Sequence, residues 1–225
     1  MEARDWQANA AACRLLALSL QYPDEGLAEL VFDGRWLDAV HEVAEACAWK
    51  DDVAIQHASL LESKEGVRAS SAAELLHVFR NEATRLFVGT PRPIVTPYEG
   101  VWFSEKAGKP TLLFVSKRSM DVEHFAKRCG LGQPEGTNEP FDHVATEFEM
   151  LQYLASLAAG FEVAPHEQIP DFLADGGAAN AYSEFLSDHV SAWVPEFADK
   201  LAAESRIPFY RHVAELLKTF VATCL

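Results

Sequence analysis

Apolar residues recur along most of this chain at spacings of three and four, which is the period of an α-helix. Between Asp5 and Gln21, Leu15, Leu16, Leu18 and Leu20 stand among alanines, and Tyr22-Pro23 closes the segment. Trp36, Leu37, Val40, Val43, Ala44 and Cys47 keep helical spacing after Asp33-Gly34. A third helix is expected from about Asp51 to Ser63, with Gly66 breaking the pattern. Ser71 and Glu74 have the spacing of a capping box, and Leu75, Leu76, Phe79, Ala83, Leu86 and Phe87 form the apolar stripe behind it.

The character changes at Gly89 to Gly100, GTPRPIVTPYEG, where three prolines fall in twelve residues. Each proline removes a backbone donor and biases its predecessor away from helix, so an extended loop is expected. Val101-Trp102-Phe103 then reads as exposed or half-buried aromatic material at the loop's end, and Thr111 to Val115 as a short strand or an apolar anchor. Helix resumes near Ser116 and stops at Cys129-Gly130, a glycine C-cap. A second loop, Gly132 to Pro140, follows, and further helices are expected at about 141–160, 179–191, 193–204 and 208–223. Asp175-Gly176-Gly177 and Ile207-Pro208 punctuate them. No internal repeat is evident and the strands of a Rossmann or barrel fold are missing. The expected class is all-α, one bundle-like domain over residues 1–225 with roughly nine helices and a Pro-rich loop.

Composition narrows the function. Hydrophobic residues make up 49% of the 225, enough to bury a full core. No run of about 18 uninterrupted apolar residues suggests a membrane span. Glu2, Asp5 and Arg14 spoil the amino-terminal stretch as a secretory signal, so a cytoplasmic location is expected. Cys13, Cys47, Cys129 and Cys224 are far apart and form no CxxC, which gives a zinc ribbon or thioredoxin-type site no support. Lys and Arg total 19 against 34 Asp and Glu, a net charge of -15, which disfavours binding to nucleic acid. The acidity is uneven. From Leu131 to Glu204 there are 14 acids and one base, Lys200, whereas Val101 to Gly130 carries six bases and three acids. Such an acidic half is either a solubilising surface or one that steers a cationic partner.

Candidate chemistry concentrates at Asn138 to Ala155, NEPFDHVATEFEMLQYLA. On a helix, Val144, Phe148, Leu151, Ala155 and Ala158 form one stripe, which Met150, Leu154 and Leu157 widen, leaving Glu147 and Glu149 toward the wetter edges. Asp142 is placed to cap that helix. His143 and Glu147, at i and i+4, form a permissible metal pair, and a metal-dependent hydrolase using them is the competing function. No second HxxxE or HxxxH helix completes such a site, and no GxSxG elbow or reactive-cysteine signature completes a triad, so neither a catalytic residue nor a metal ligand is assigned. The remaining reading is a binding surface. The prolines and aromatics of Pro91 to Trp102, beside an acidic helix start, suit an extended peptide that is cationic and apolar.

Three segments, RLFVGTPRPIVTPYEGVW (Arg85 to Trp102), NEPFDHVATEFEMLQYLA, and IPFYRHVAELLKTF (Ile207 to Phe220), in this order and spacing, resemble the TorD/DmsD family of redox-enzyme maturation chaperones, closest to its DmsD branch. The resemblance spans the chain from about residue 75 onward. It implies a cytoplasmic, non-enzymatic, all-helical chaperone without a cofactor. Such a chaperone binds the twin-arginine leader of a molybdopterin oxidoreductase precursor and holds it back from the Tat translocon until its cofactor is loaded. It also implies components of that translocon as further partners, and no insertion into the membrane. Carried over by motif, the leader-binding candidates are Leu86, Phe87, Pro97, Tyr98, Trp102, Glu139, Pro140, Asp142 and His143. Asp142 would meet a leader arginine or cap its helix, or do both. His143 would orient the loop or donate to the peptide, and Tyr98 with Trp102 would form an apolar shelf. Leu86 and Phe87, which close the stripe of their helix, read as core before contact, while Phe209, Tyr210 and Trp193 read as core. The chain departs from the family at Gly100, where members usually carry a serine.

Overall fold

A computed structural model describes residues 3–49, 55–108, 116–132, 139–161 and 169–224, with the side chains of residues 3–5 left aside. Among these residues the regular structure is helical: α1 (Ala3–Leu20), α2 (Glu25–Phe32), α3 (Arg35–Ala46), α4 (His57–Leu60), α5 (Ala72–Ala83), α6 (Glu99–Lys106), α7 (Lys117–Arg128), α8 (Val144–Ala158), α9 (Gly177–Phe185), α10 (Ser191–Glu204) and α11 (Pro208–Cys224). Single π-helical turns extend α5 over Thr84–Val88 and join α9 to α10 over Leu186–Val190. The all-α class is as expected. Two helices, α2 and α6, were not. The strand or anchor expected at Thr111 to Val115 lies outside the described residues.

Local chemistry accounts for most helix ends. The Asp24 carboxylate accepts the Leu27 N–H at 2.8 Å and starts α2, which buries Leu27, Ala28 and Val31. Ser71 caps α5 through the Glu74 N–H at 3.2 Å, but Glu74 reaches back to the N–H and hydroxyl of Ser70, not to Ser71. The capping box is therefore displaced by one residue. Ser116 caps α7 through the Ser119 N–H at 3.0 Å, and Gly130, at φ +78°, follows its C-cap Cys129. Helix α6 begins inside the stretch expected to be loop. The prolines stop at Pro97, so Glu99 onward has every donor a helix needs.

The described residues fall into two compact units. The first comprises Met1–Ala17 and Pro97–Trp193, the second Leu18–Thr96 and Val194–Leu225. In the second unit Phe209 is fully buried, with ring centroids of Phe79 at 4.4 Å, Tyr210 at 5.1 Å and Trp36 at 5.3 Å. The Trp36 indole N–H donates to Ser19 Oγ at 2.9 Å. The half-buried Arg85 donates through Nε and Nη2 to both oxygens of buried Glu82 at 2.9 and 2.8 Å, a forked ion pair that also takes up the Arg206 N–H. In the first unit α8 packs on α9 and α6 on α7. Trp6 meets Tyr182 edge-on at 5.2 Å, and Phe125 lies 4.8 Å from Phe185.

Candidate functional site

The candidate residues at the start of α8 gather in the first unit by way of a short backbone pairing. The Glu99 N–H donates to Asp142 O at 3.0 Å, and the Val144 N–H to Pro97 O at 2.8 Å, so Tyr98 and His143 face each other as an antiparallel bridge. Their rings meet edge-on at 5.3 Å. The Tyr98 hydroxyl donates to Glu139 Oε1 at 2.6 Å, and burial together with this carboxylate raises the phenol's pKa. Glu139 is exposed and Pro140 buried. Trp102 is half-buried on α6, 6.0 Å from Trp193, so it belongs to a helix and not to the loop's end.

Asp142 does not cap α8. That place is taken by His143, whose Nδ1 accepts the Ala145 N–H at 3.2 Å. Only a neutral imidazole offers a ring lone pair, and burial lowers the His143 pKa against the opposing charges of Glu139 and Asp142. Asp142 is 2% exposed and turns inward. Its Oδ2 accepts the Gly100 N–H at 2.9 Å and the Ser119 hydroxyl at 2.6 Å, and Ser116 Oγ lies 2.9 Å from Ser119 Oγ. One carboxylate thus ties the starts of α6 and α7 to the start of α8. The same contacts explain Gly100. A Cβ there would stand 2.1 Å from both serine oxygens and 2.9 Å from Asp142 Oδ2. The hydroxyl that a serine at this position would offer comes instead from α7.

Glu147 also departs from expectation. It is 0% exposed rather than at a wet edge; Glu149 is the exposed one. The Trp193 indole N–H donates to its Oε2 at 3.0 Å, while Oε1 makes no hydrogen bond. Burial, and the nearby charge of Glu99, push its carboxyl well above the ordinary range. Glu99 is equally buried. It accepts Nδ1–H of His189 at 2.8 Å and faces Arg118 Nη1 at 3.4 Å, and burial raises its pKa against these partners. His143 and Glu147 are therefore committed to different partners, and the metal pair considered for a hydrolase is not formed. Among the described residues no group of three His, Cys, Asp or Glu is placed to hold a metal ion.

The buried Glu147 carries a pH prediction. A carboxyl whose folded pKa is raised retains its proton in the folded chain at pH values where the unfolded chain has lost it. Its contribution to stability is complete below the ordinary value of 4.5 and is lost as pH rises through the folded value. Glu147→Gln keeps an acceptor for Trp193 and cannot ionise. Its urea midpoint should decline less from about pH 5 to 8, with a gain on the order of 1–3 kcal/mol at the upper end. The residual decline belongs to Glu99. A parallel fall in both proteins would show that Glu147 does not titrate in this way.

Leu86 and Phe87 lie in the second unit. Leu86 is fully buried, and Phe87 is half-buried with its ring 5.5 Å from Tyr210 and 6.4 Å from Phe197. Leu86 is thus a core side chain in this structure and offers no contact surface. Trp193 is core as expected, but its bond to Glu147 could not be foreseen. Residues that sequence reasoning missed are Glu99, Ser119, Arg118 and His189. Glu99 stands in the quoted segment Arg85 to Trp102 but carried no assigned role there, the other three stand in no motif, and only the family's usual serine at position 100 hinted at a missing hydroxyl.

Residues 46–199 match the family described as the nitrate reductase delta subunit, to which the TorD chaperones belong. The match covers more than half of the chain. The chain is a member of the TorD family. TorD chaperones of Photobacterium profundum and Vibrio cholerae (El Tor Inaba N16961) are 27% identical over 135 residues and 26% over 136. Each alignment covers 60% of this chain and 56% of the relative, so the matched part spans about half the length of those TorD proteins. The perchlorate reductase assembly chaperone of Dechloromonas aromatica is 23% identical over 209 residues, 92% of this chain and 84% of that protein. These TorD-family relatives are named as chaperones, and the family supplies no catalytic reaction for the chain. No helix among the described residues is long and apolar enough to cross a membrane.

Proposed function

We propose that the protein is a cytoplasmic maturation chaperone whose residues 1–225 act as one chaperone domain. It binds the twin-arginine leader of a molybdopterin oxidoreductase precursor and holds the precursor until its cofactor is loaded, before Tat export. The names of its relatives support the chaperone role. The observation that carries the leader reading is the bridge between Tyr98 and His143, with Glu139 held at its exposed rim by the Tyr98 hydroxyl. An aromatic surface edged by a carboxylate suits a segment in which arginine adjoins apolar residues. Tyr98, Trp102, Glu139 and His143 are its proposed wall, and the buried Pro97 and Pro140 support it from behind. Asp142 serves from beneath by fixing Gly100, and with it the first turn of α6.

Calorimetric titration tests this with leader peptides of the molybdoenzymes encoded by the same organism. An Arg-Arg leader should bind, and its Lys-Lys variant should bind about tenfold more weakly, because lysine lacks the planar fork. Added salt should weaken both. If no leader of those enzymes binds, the proposal fails.

A further inference from the structure

Glu99, Asp142 and Glu147 are all at most 2% exposed, in one unit of one small chain. The charges of Glu99 and Asp142 raise the pKa of Glu147, and that of Asp142 raises Glu99. Among the described residues, His189 and the Arg118 guanidinium stand against them. Oxygens remain to be satisfied, since neither Glu147 Oε1 nor Glu99 Oε1 makes a hydrogen bond. A buried carboxylate oxygen left in this state is costly unless a cation or donor reaches it.

Arg118 reaches this group from outside. Its side chain is 34% exposed, its guanidinium lies 4.5 Å over the Phe103 ring, and Nη1 donates to Asp188 O at 2.7 Å. Flat aromatic face, carbonyl acceptor and buried carboxylate are the three things a guanidinium seeks. Yet the fit is loose. The approach to Glu99 is 3.4 Å, too long for a charge-assisted bond, and Arg118 sits in the first turn of α7, where the helix dipole repels a cation.

We infer that Glu99, Phe103 and the Asp188 carbonyl form a guanidinium socket, in which Arg118 is a resident occupant that an arginine of the bound leader displaces. This rests on the leader-binding reading above and adds to it the place where one arginine goes. Displaced, Arg118 swings into solvent on its flexible stem. The lone Glu99 Oε1 then meets a fork free to enter at its own angle.

Arg118→Ala empties the socket. Circular dichroism first establishes that the variant is folded; Arg118→Gln, which keeps part of the stem, replaces it otherwise. Millimolar methylguanidinium should raise the melting temperature of the variant saturably, more than methylammonium does, and should leave the wild type unaffected. The Arg-Arg leader should bind the variant about tenfold more tightly, the gain expected when a competitor filling a site roughly 90% of the time is removed. Equal or weaker leader affinity in the variant overturns the displacement. If the leader binds neither protein, the leader reading fails and methylguanidinium decides the socket. Saturable stabilisation of the variant upholds it, and parity with methylammonium overturns it.

Discussion

Asp142→Ala is expected to cost about 3–5 kcal/mol of folding free energy, because it orphans two buried donors at roughly 1–3 kcal/mol each. The loss leaves the Gly100 N–H and the Ser119 hydroxyl without their shared acceptor in a site that water does not reach. Each orphaned donor is costly by itself. Asp142→Asn preserves an oxygen in nearly the same place and should cost about 1 kcal/mol, the difference between a charged and a neutral acceptor. Ser119→Ala should fall between the two. Urea unfolding of the three variants gives the order directly. A capping role would predict a different order, with His143→Ala more harmful than Asp142→Ala, because it is the imidazole that accepts the Ala145 N–H. A loss below about 1 kcal/mol for Asp142→Ala would mean that the three helix starts are held by something else.

Phe209→Ala should be as damaging, by about 3–5 kcal/mol, for an unrelated reason. The ring is fully buried and stacks on Phe79 at 25° between planes, with Trp36 and Tyr210 on its other sides. Rigid aromatics on three sides cannot collapse into the space, so most of the cavity persists. The variant serves as a control for function. Its damage lies in the unit of Leu18–Thr96 and Val194–Leu225, whereas the proposed leader wall lies in the other. Where Phe209→Ala remains folded, leader affinity should match the wild type within about twofold, whereas His143→Ala should lose affinity. A matching loss in both would place the binding determinants outside the wall proposed.

The helices were legible because burial imposes a period on the sequence. The stripe of α8 from Val144 to Ala155, the cap Ser71 and the resumption of helix near Ser116 could be read directly. Helix α2 was missed although Asp24 and the Leu27, Ala28, Val31 spacing announce it; at eight residues its stripe is short. Helix α6 was hidden by the prolines before it, whose influence ends one residue beyond Pro97. The pairing of Tyr98 with His143 was foreseen only as a neighbourhood of loop and helix start. Glu147 shows the limit most clearly. Its two flanks on α8 look alike in sequence, and the indole that draws it inward is 46 residues away. Asp142 misled for a related reason. An acid before a helix is a good cap, but a tighter acceptor role across space was open to it, and the imidazole next door took over the cap.

The division of the chain has a consequence for its biogenesis. Neither compact unit is a continuous stretch, because Met1–Ala17 belongs with Pro97–Trp193, and Leu18–Thr96 with Val194–Leu225. The Trp6 ring waits for Tyr182, and the Phe79 ring for Phe209. On the ribosome the first apolar helix must therefore stay unsatisfied until most of the polypeptide has emerged. The nascent protein is exposed to aggregation at least from the emergence of Trp6 until that of Tyr182.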